Sequence, residues 1–143
     1  MQDSFSSSAG RHLQDAQILA DAQRWDNAVY LAGYVVECSF KVLIEQNFKF
    51  GQGTARKYGH DLVELKGKAM ERLRLLYPIL DQQLPISRID ETVLAKNHPE
   101  RRYAKSGLWS KSEAELAVQR AEAIYKETVL KLVLDGLIFS KDI

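Results

Sequence analysis

Apolar residues recur along this chain at the three- and four-residue spacing of helices, and no stretch alternates apolar and polar positions long enough to make a strand. The densest apolar stretch is Asp26 to Asn47, DNAVYLAGYVVECSFKVLIEQN. Placed at about 100° per residue, Val29, Leu31, Ala32, Val35, Val36, Cys38, Phe40, Val42, Leu43 and Ile44 cover more than half of the circumference. A helix with so wide an apolar surface is mostly buried. What remains is a strip of Tyr30, Tyr34, Glu37, Lys41 and Glu45, which collects hydroxyls and charges on one side and is the first candidate for function.

Weaker periodic segments flank this helix. From about Ala9 to Arg24, Leu13, Ala16, Leu19, Ala20 and Gln23 share a face, and Ser6, Ser7 and Ser8 form a capping lead. The pattern breaks at Trp25-Asp26, where Asp26 is expected as the N-cap of the central helix and Trp25 as a staple onto Tyr30, so the first two helices make an antiparallel hairpin. After Asn47 the glycine-rich basic stretch KFGQGTARKYGHD lacks the preceding strand and the Gly-Lys-Ser/Thr ending of a P-loop, and reads as a connection. A third helix opens at His60-Asp61, with Asp61 and Glu64 in capping-box spacing; it carries Leu62, Leu65, Ala69, Leu73 and Leu76 inward and stops or kinks at Pro78. Pro85 and Ser87 reset the chain for a shorter helical piece over Arg88 to Lys96, followed by an ordered loop, NHPERRYAKSGLWS. In the last helix Ser110 with Glu113, or Ser112 with Glu115, offers a capping box, the sector Ala114, Ala117, Ala121, Ile124 and Thr128 passes from small apolar to polar, and Gly136 supplies a stop. Its end, Val129 to Leu134, is apolar on more than one side and is expected deep in the bundle or in a subunit interface. The pattern predicts an all-α chain of four long helices and a short extra one.

A length of 143 residues predicts one domain over 1–143. The 45% hydrophobic and 27% charged residues are those of a globular chain rather than a disordered or membrane one, and a net charge of +1 leaves any electrostatic partner to be read by a local patch. Cys38 is the single cysteine, so an internal disulfide is impossible, and with no run resembling a signal peptide the chain is expected to be soluble and cytoplasmic, away from membranes. His12, His60 and His98 are far apart and lack the paired spacing of a zinc or iron site, so neither metal nor cofactor is expected.

Taken in order, three segments resemble the HEPN domains: AVYLAGYVVECSFKVLIEQ, with Glu37 and Lys41 four apart; GHDL at Gly59 to Leu62; and HPERRYA at His98 to Ala104, followed by SEAELAVQRAEAIYKE. The resemblance covers most of the chain. It implies an antiparallel up-and-down bundle, commonly dimeric, and a set of roles: metal-independent ribonucleases that are often toxins, nucleotide- or RNA-binding modules, and partners of small nucleotidyltransferases. The ribonuclease members use an arginine followed four to six residues later by a histidine near the start of the last helix. This chain departs from that pattern, since no histidine follows Arg101 and Arg102, Arg88 lies ten residues before His98, and Arg56, four before His60, precedes a different helix. The resemblance therefore implies a non-catalytic module that binds a nucleotide, RNA or a partner nucleotidyltransferase, in a homodimer.

The residues themselves support two readings of the polar strip. A Glu37–Lys41 pair at i, i+4 is worth only about 0.2 to 0.5 kcal/mol on an exposed helix, so in this apolar one it is either a buried network fixing register or a ligand-facing pair, with Lys41 on an anion and Glu37 orienting a cation. From Lys96 to Lys111, the cations Lys96, Arg101, Arg102, Lys105 and Lys111 outnumber Glu100, with Tyr103 and Trp109 interleaved, which suits phosphate and a stacked base; alternatively Arg101 or Arg102 reaches inward to Glu37. His60 is expected to cap or to sit in the core beside Asp61, with general-base duty as the alternative, and His98 is expected to be an exposed loop residue, with phosphate contact beside the two arginines as its alternative. The candidate ligand-binding set is Tyr34, Glu37, Lys41, His60, Arg101, Arg102 and Tyr103, with no catalytic residue assigned. Two other functions compete: a toxin-like ribonuclease with a displaced site built from His60 or His98 and the arginines across a dimer, and a purely structural dimerisation unit.

Overall fold

The computed structural model describes residues 4–45, 59–76, 87–96, 98–99 and 105–136, with side chains in the third helix described as far as Glu71. The expected all-α bundle is what it shows, with no strand among the described residues. Helix α1, Phe5–Asp21, is capped by Ser4, whose Oγ accepts from the Ser7 N–H at 3.3 Å; Ser6, Ser7 and Ser8 lie inside the first turns rather than ahead of them. The helix stops three residues short of Arg24. There Arg24 N–H donates to the Leu19 carbonyl and Gln23 N–H to that of Ala20, with Gln23 in the left-handed region at φ 63°, a Schellman turn that reverses the chain.

Helix α2, Trp25–Glu45, follows at once and packs against α1 on one side and against the third and fourth helices on others. Val29, Val35, Val36, Phe40 and Leu43 are wholly inaccessible, as the width of the apolar surface predicts. By length and composition α2 could cross a membrane, but 78% of its apolar window is buried inside the bundle, which makes it the core helix. Asp26 is not its N-cap. The helix already includes Trp25, and the Asp26 carboxylate instead accepts from the backbone N–H groups of Gly107 at 2.6 Å and Trp109 at 3.0 Å, which fastens the loop before the last helix to the α1–α2 turn. Because both donors would lose a charged acceptor, Asp26→Ala is expected to cost about 2 kcal/mol in chemical denaturation, whereas Asp26→Asn keeps part of that.

Helix α3, Leu62–Leu76, begins where the sequence places it. Asp61 Oδ1 accepts from the N–H groups of Val63 at 3.0 Å and Glu64 at 3.2 Å, and Leu62, Leu65 and Ala69 are buried. The side chains of Leu73 and Leu76, and Pro78 and Pro85, lie outside the described residues. The helical piece expected over Arg88 to Lys96 is reduced to one 3-10 turn, Val93–Ala95. Thr92 accounts for this: its hydroxyl donates to the Ile89 carbonyl at 2.8 Å and accepts from Leu94 N–H at 3.1 Å, satisfying the backbone locally in place of an α-helical ladder. The segment is pinned from outside, because Ser87 donates its N–H and hydroxyl to Glu127 at 2.8 and 2.7 Å and Arg120 donates to the Arg88 carbonyl.

Helix α4, Lys111–Tyr125, uses the Ser110–Glu113 capping box in both directions. It continues through a π-helical turn, Lys126–Leu130, into α5, Lys131–Leu134. Inside that turn the buried Thr128 hydroxyl donates to the Ile124 carbonyl at 2.7 Å, a competing acceptor for the ladder. The apolar end divides: Val129 and Leu132 enter the core while Leu134 is 78% exposed, and Gly136 at φ 75° closes the element.

Candidate functional site

The charged part of the polar strip of α2, Glu37, Lys41 and Glu45, is buried, while Tyr30 and Tyr34 are half-buried. The Glu37 side chain is 4% exposed; Oε2 accepts from Lys41 Nζ at 3.2 Å, and Oε1 accepts from His60 Nδ1 and His98 Nε2, both at 2.9 Å. Two of these donors come from far along the chain, one from the residue just before the α3 cap and one from the segment after the Val93–Ala95 turn. Tyr34, one helical turn before Glu37, is the aromatic hub, with ring centroids at 4.7 Å to His98, 5.1 Å to Tyr30, 5.9 Å to His12 and 6.3 Å to His60.

All three histidines, which are remote in sequence, therefore meet around Tyr34. The expectation that His98 is an exposed loop residue is incorrect: its side chain is 2% exposed, held between the Glu37 carboxylate and the Tyr34 ring. His60 differs from its expected core or capping role. Asp61 does the capping, and His60 keeps a side chain 54% exposed while tethered through Nδ1. Lys41 is enclosed as well, with Nζ 5.3 Å from the Phe5 ring centroid, so it stabilises Glu37 rather than facing an anion. Of the expected set, Tyr34, Glu37, Lys41 and His60 come together; Arg101, Arg102 and Tyr103 lie outside the described residues. His12 is the member that sequence reasoning missed, and His98 entered it only through the displaced ribonuclease site, although the His-Pro pair there belongs to one of the segments that carry the family resemblance.

Electrostatics follow from these contacts. Burial pushes the Glu37 carboxyl up, yet the hydrogen bonds from His98 and His60 together with the Lys41 charge outweigh it and hold the carboxyl below the ordinary glutamate range. Glu37 is thus ionised and can only accept, so all three neighbours donate to it. His12 is pushed down by burial, with neighbouring Arg11 adding to the shift. Burial pushes the Cys38 thiol up to about 12, which leaves it protonated and inert.

Beside this cluster opens a cleft of about 420 Å³. It is lined by His60 to Val63 at the start of α3, by Leu94 and Ala95, and by His98 and Pro99. Its size lies within the roughly 300 to 1,000 Å³ of small-molecule sites. Among the described residues no group of three His, Cys, Asp or Glu side chains is arranged to hold a metal ion. The two histidines converge on one carboxylate oxygen at hydrogen-bonding distance, which leaves no room for an ion between them.

Comparison with curated proteins and with solved structures gives no match. A family model does match: that of the HEPN domain, over residues 4–132. That span takes in every helix from α1 to α4, the Glu37 cluster and the cleft, so the chain belongs to the HEPN domain family and is, at that level, a nucleotide- or RNA-related module.

Proposed function

We propose that this protein is a non-catalytic HEPN module that binds a nucleotide or an RNA segment in the cleft beside Glu37. The observation that carries this is the convergence of His60 and His98 on one buried carboxylate oxygen at the edge of a cleft of about 420 Å³. Such a network holds the cleft wall in place while leaving His60 half exposed to meet a ligand. Arg101, Arg102 and Tyr103 follow Pro99 closely in sequence and would supply phosphate donors and a stacking ring beside it. Under this reading the protein is a cytoplasmic homodimer, with a small nucleotidyltransferase as the alternative to a nucleotide or RNA partner.

A thermal-shift screen with nucleotides and short RNAs tests the binding. Ligand at about a hundred times its Kd adds roughly 2.7 kcal/mol of stability, a readily measured rise in melting temperature. The rise should disappear in His60→Ala and shrink in Arg101→Ala and Arg102→Ala. No response to any nucleotide or RNA contradicts the proposal.

One observation favours a second reading, a metal-independent ribonuclease. A carboxylate-held histidine with its other ring nitrogen turned outward has the form of a general base, even though the arginine-histidine spacing of the ribonuclease members is missing. Cleavage of RNA that persists in EDTA and is lost in His60→Ala would support it; intact RNA under both conditions removes it.

A further inference from the structure

The geometry points to His60 as a covalent acceptor site, whose Nε2 takes a phosphoryl group from a small donor with a labile P–N or acyl-phosphate bond. The group behind the ring sets it up as a nucleophile. Nδ1 lies 2.9 Å from Glu37 Oε1, and an ionised carboxylate has no proton to give, so the ring proton sits on Nδ1. In the neutral imidazole the lone pair is then on Nε2, which enters no hydrogen bond among the described residues, on a side chain 54% exposed that lines the cleft. A carboxylate bonded to one ring nitrogen makes the other more basic and more nucleophilic.

Glu37 is itself held in place. Lys41 donates to Oε2 at 3.2 Å, His98 shares Oε1 at 2.9 Å, and the Tyr34 ring meets that of His60 edge-on with centroids 6.3 Å apart. An oriented carboxylate therefore backs an oriented imidazole, the arrangement that activates a nucleophile. The other nucleophilic side chains of the cluster are withdrawn. Cys38 and Lys41 are buried, the first with its thiol proton retained and the second paired with Glu37. His98 is 2% exposed and spends its Nε2 on Glu37, and His12 meets Tyr34 without a carboxylate bond among the described residues.

The transfer balances without a further base. The Nε2 lone pair forms the N–P bond as the P–N or P–O bond of the donor breaks, and that electron pair leaves with ammonia or with a carboxylate. The Nδ1 proton stays where it is. The product ring is an imidazolium, and its new positive charge faces the negative charge of Glu37 across the existing 2.9 Å contact. Asp61 lines the same cleft, but its Oδ1 accepts from the N–H groups of Val63 and Glu64 at the positive end of α3, which offsets its charge toward an incoming phosphoryl group.

The full chain is treated with phosphoramidate in mildly alkaline buffer, where imidazoles are neutral, both folded and in urea beyond the unfolding transition. Intact mass counts the phosphoryl groups, fragmentation locates them, and phosphorus-31 spectra distinguish Nε2 from Nδ1. The folded protein is expected to take one group, on Nε2 of His60, about tenfold faster than the unfolded chain, the worth of one hydrogen bond to a charged group. His60→Gln should stay unmodified, and Glu37→Gln, checked as folded by its thermal transition, should react no faster than the unfolded chain. Comparing the folded and unfolded parent needs no substitution, so the outcome is readable even if Glu37→Gln folds poorly. Modification at Nδ1, modification of His12 as readily as of His60, or a rate in the folded chain no higher than in the unfolded one overturns the inference.

Discussion

Glu37→Ala is expected to destabilise the fold by about 3 to 5 kcal/mol, because it leaves a buried ammonium without its counter-ion and two imidazole donors without their acceptor. Domains of this kind are stable by about 5 to 15 kcal/mol, so the variant should melt roughly 10 °C or more below the parent, or fail to accumulate. The pair itself is a different matter from its rupture. Replacing both members by apolar side chains, as in Glu37→Leu with Lys41→Met, removes the uncompensated charge and should recover much of the loss. A double variant no better than Glu37→Ala would mean that the histidine bonds, not the Lys41 charge, dominate the cost. The same carboxylate gives a pH signature. Its folded value lies below the ordinary 4.5, so its contribution to stability is fully present above that pH and is lost as the pH falls through the folded value. The stability gap between parent and Glu37→Gln should accordingly be wide at neutral pH and narrow progressively below 4.5.

His98 and His60 touch the same oxygen at the same distance, yet their truncation is expected to have unequal consequences. His98→Ala removes a side chain 2% exposed, a hydrogen bond to a charged group and an edge-on contact with Tyr34 at 4.7 Å. Roughly 1.5 to 3 kcal/mol for the bond and 0.5 to 1.5 kcal/mol for the ring pair give a total of about 3 kcal/mol, before any cavity cost. For His60→Ala, with 54% of the side chain in solvent, water replaces the lost donor and the cost should be under about 1 kcal/mol. Urea denaturation of the two variants measures the difference directly. Equal losses would contradict the division of labour in which His98 is structural and His60 is available to a ligand.

Much of the architecture was legible because its signals are local. The breadth of apolar positions on α2 dictates its burial, Asp61 and the Ser110–Glu113 box mark helix starts through bonds spanning two or three residues, and Gly136 marks a stop through its left-handed backbone. Asp26 shows where such signals mislead. An acid just ahead of an apolar run has the form of a cap, but tertiary structure brings Gly107 and Trp109, 81 and 83 residues away, to claim its oxygens. The site emerged only in part, with Tyr34, Glu37, Lys41 and His60 in the candidate set and His98 outside it, for the same reason. Glu37 and Lys41 were visible as a spaced pair on one helix, whereas the partners that complete the cluster are 23 and 61 residues from Glu37 and lie in segments with no periodicity. A histidine next to a proline in a basic loop has the composition of a solvated residue. Only the packing of its ring against Tyr34 and the Glu37 carboxylate makes His98 a buried one.

That one buried carboxylate organises this site has a consequence that can be observed atom by atom. Long-range nitrogen-15 correlation spectra of the imidazole rings distinguish which nitrogen carries the proton. With Glu37 ionised and accepting from both rings, His60 must be protonated on Nδ1 and His98 on Nε2, in opposite tautomers when neutral, and both assignments should be lost in the Glu37→Leu, Lys41→Met double variant, which has no acceptor at that place. If the parent protein shows both rings in the same tautomer, or spectra unchanged in that variant, Glu37 is not the group that gathers them and the account of the cleft falls with it.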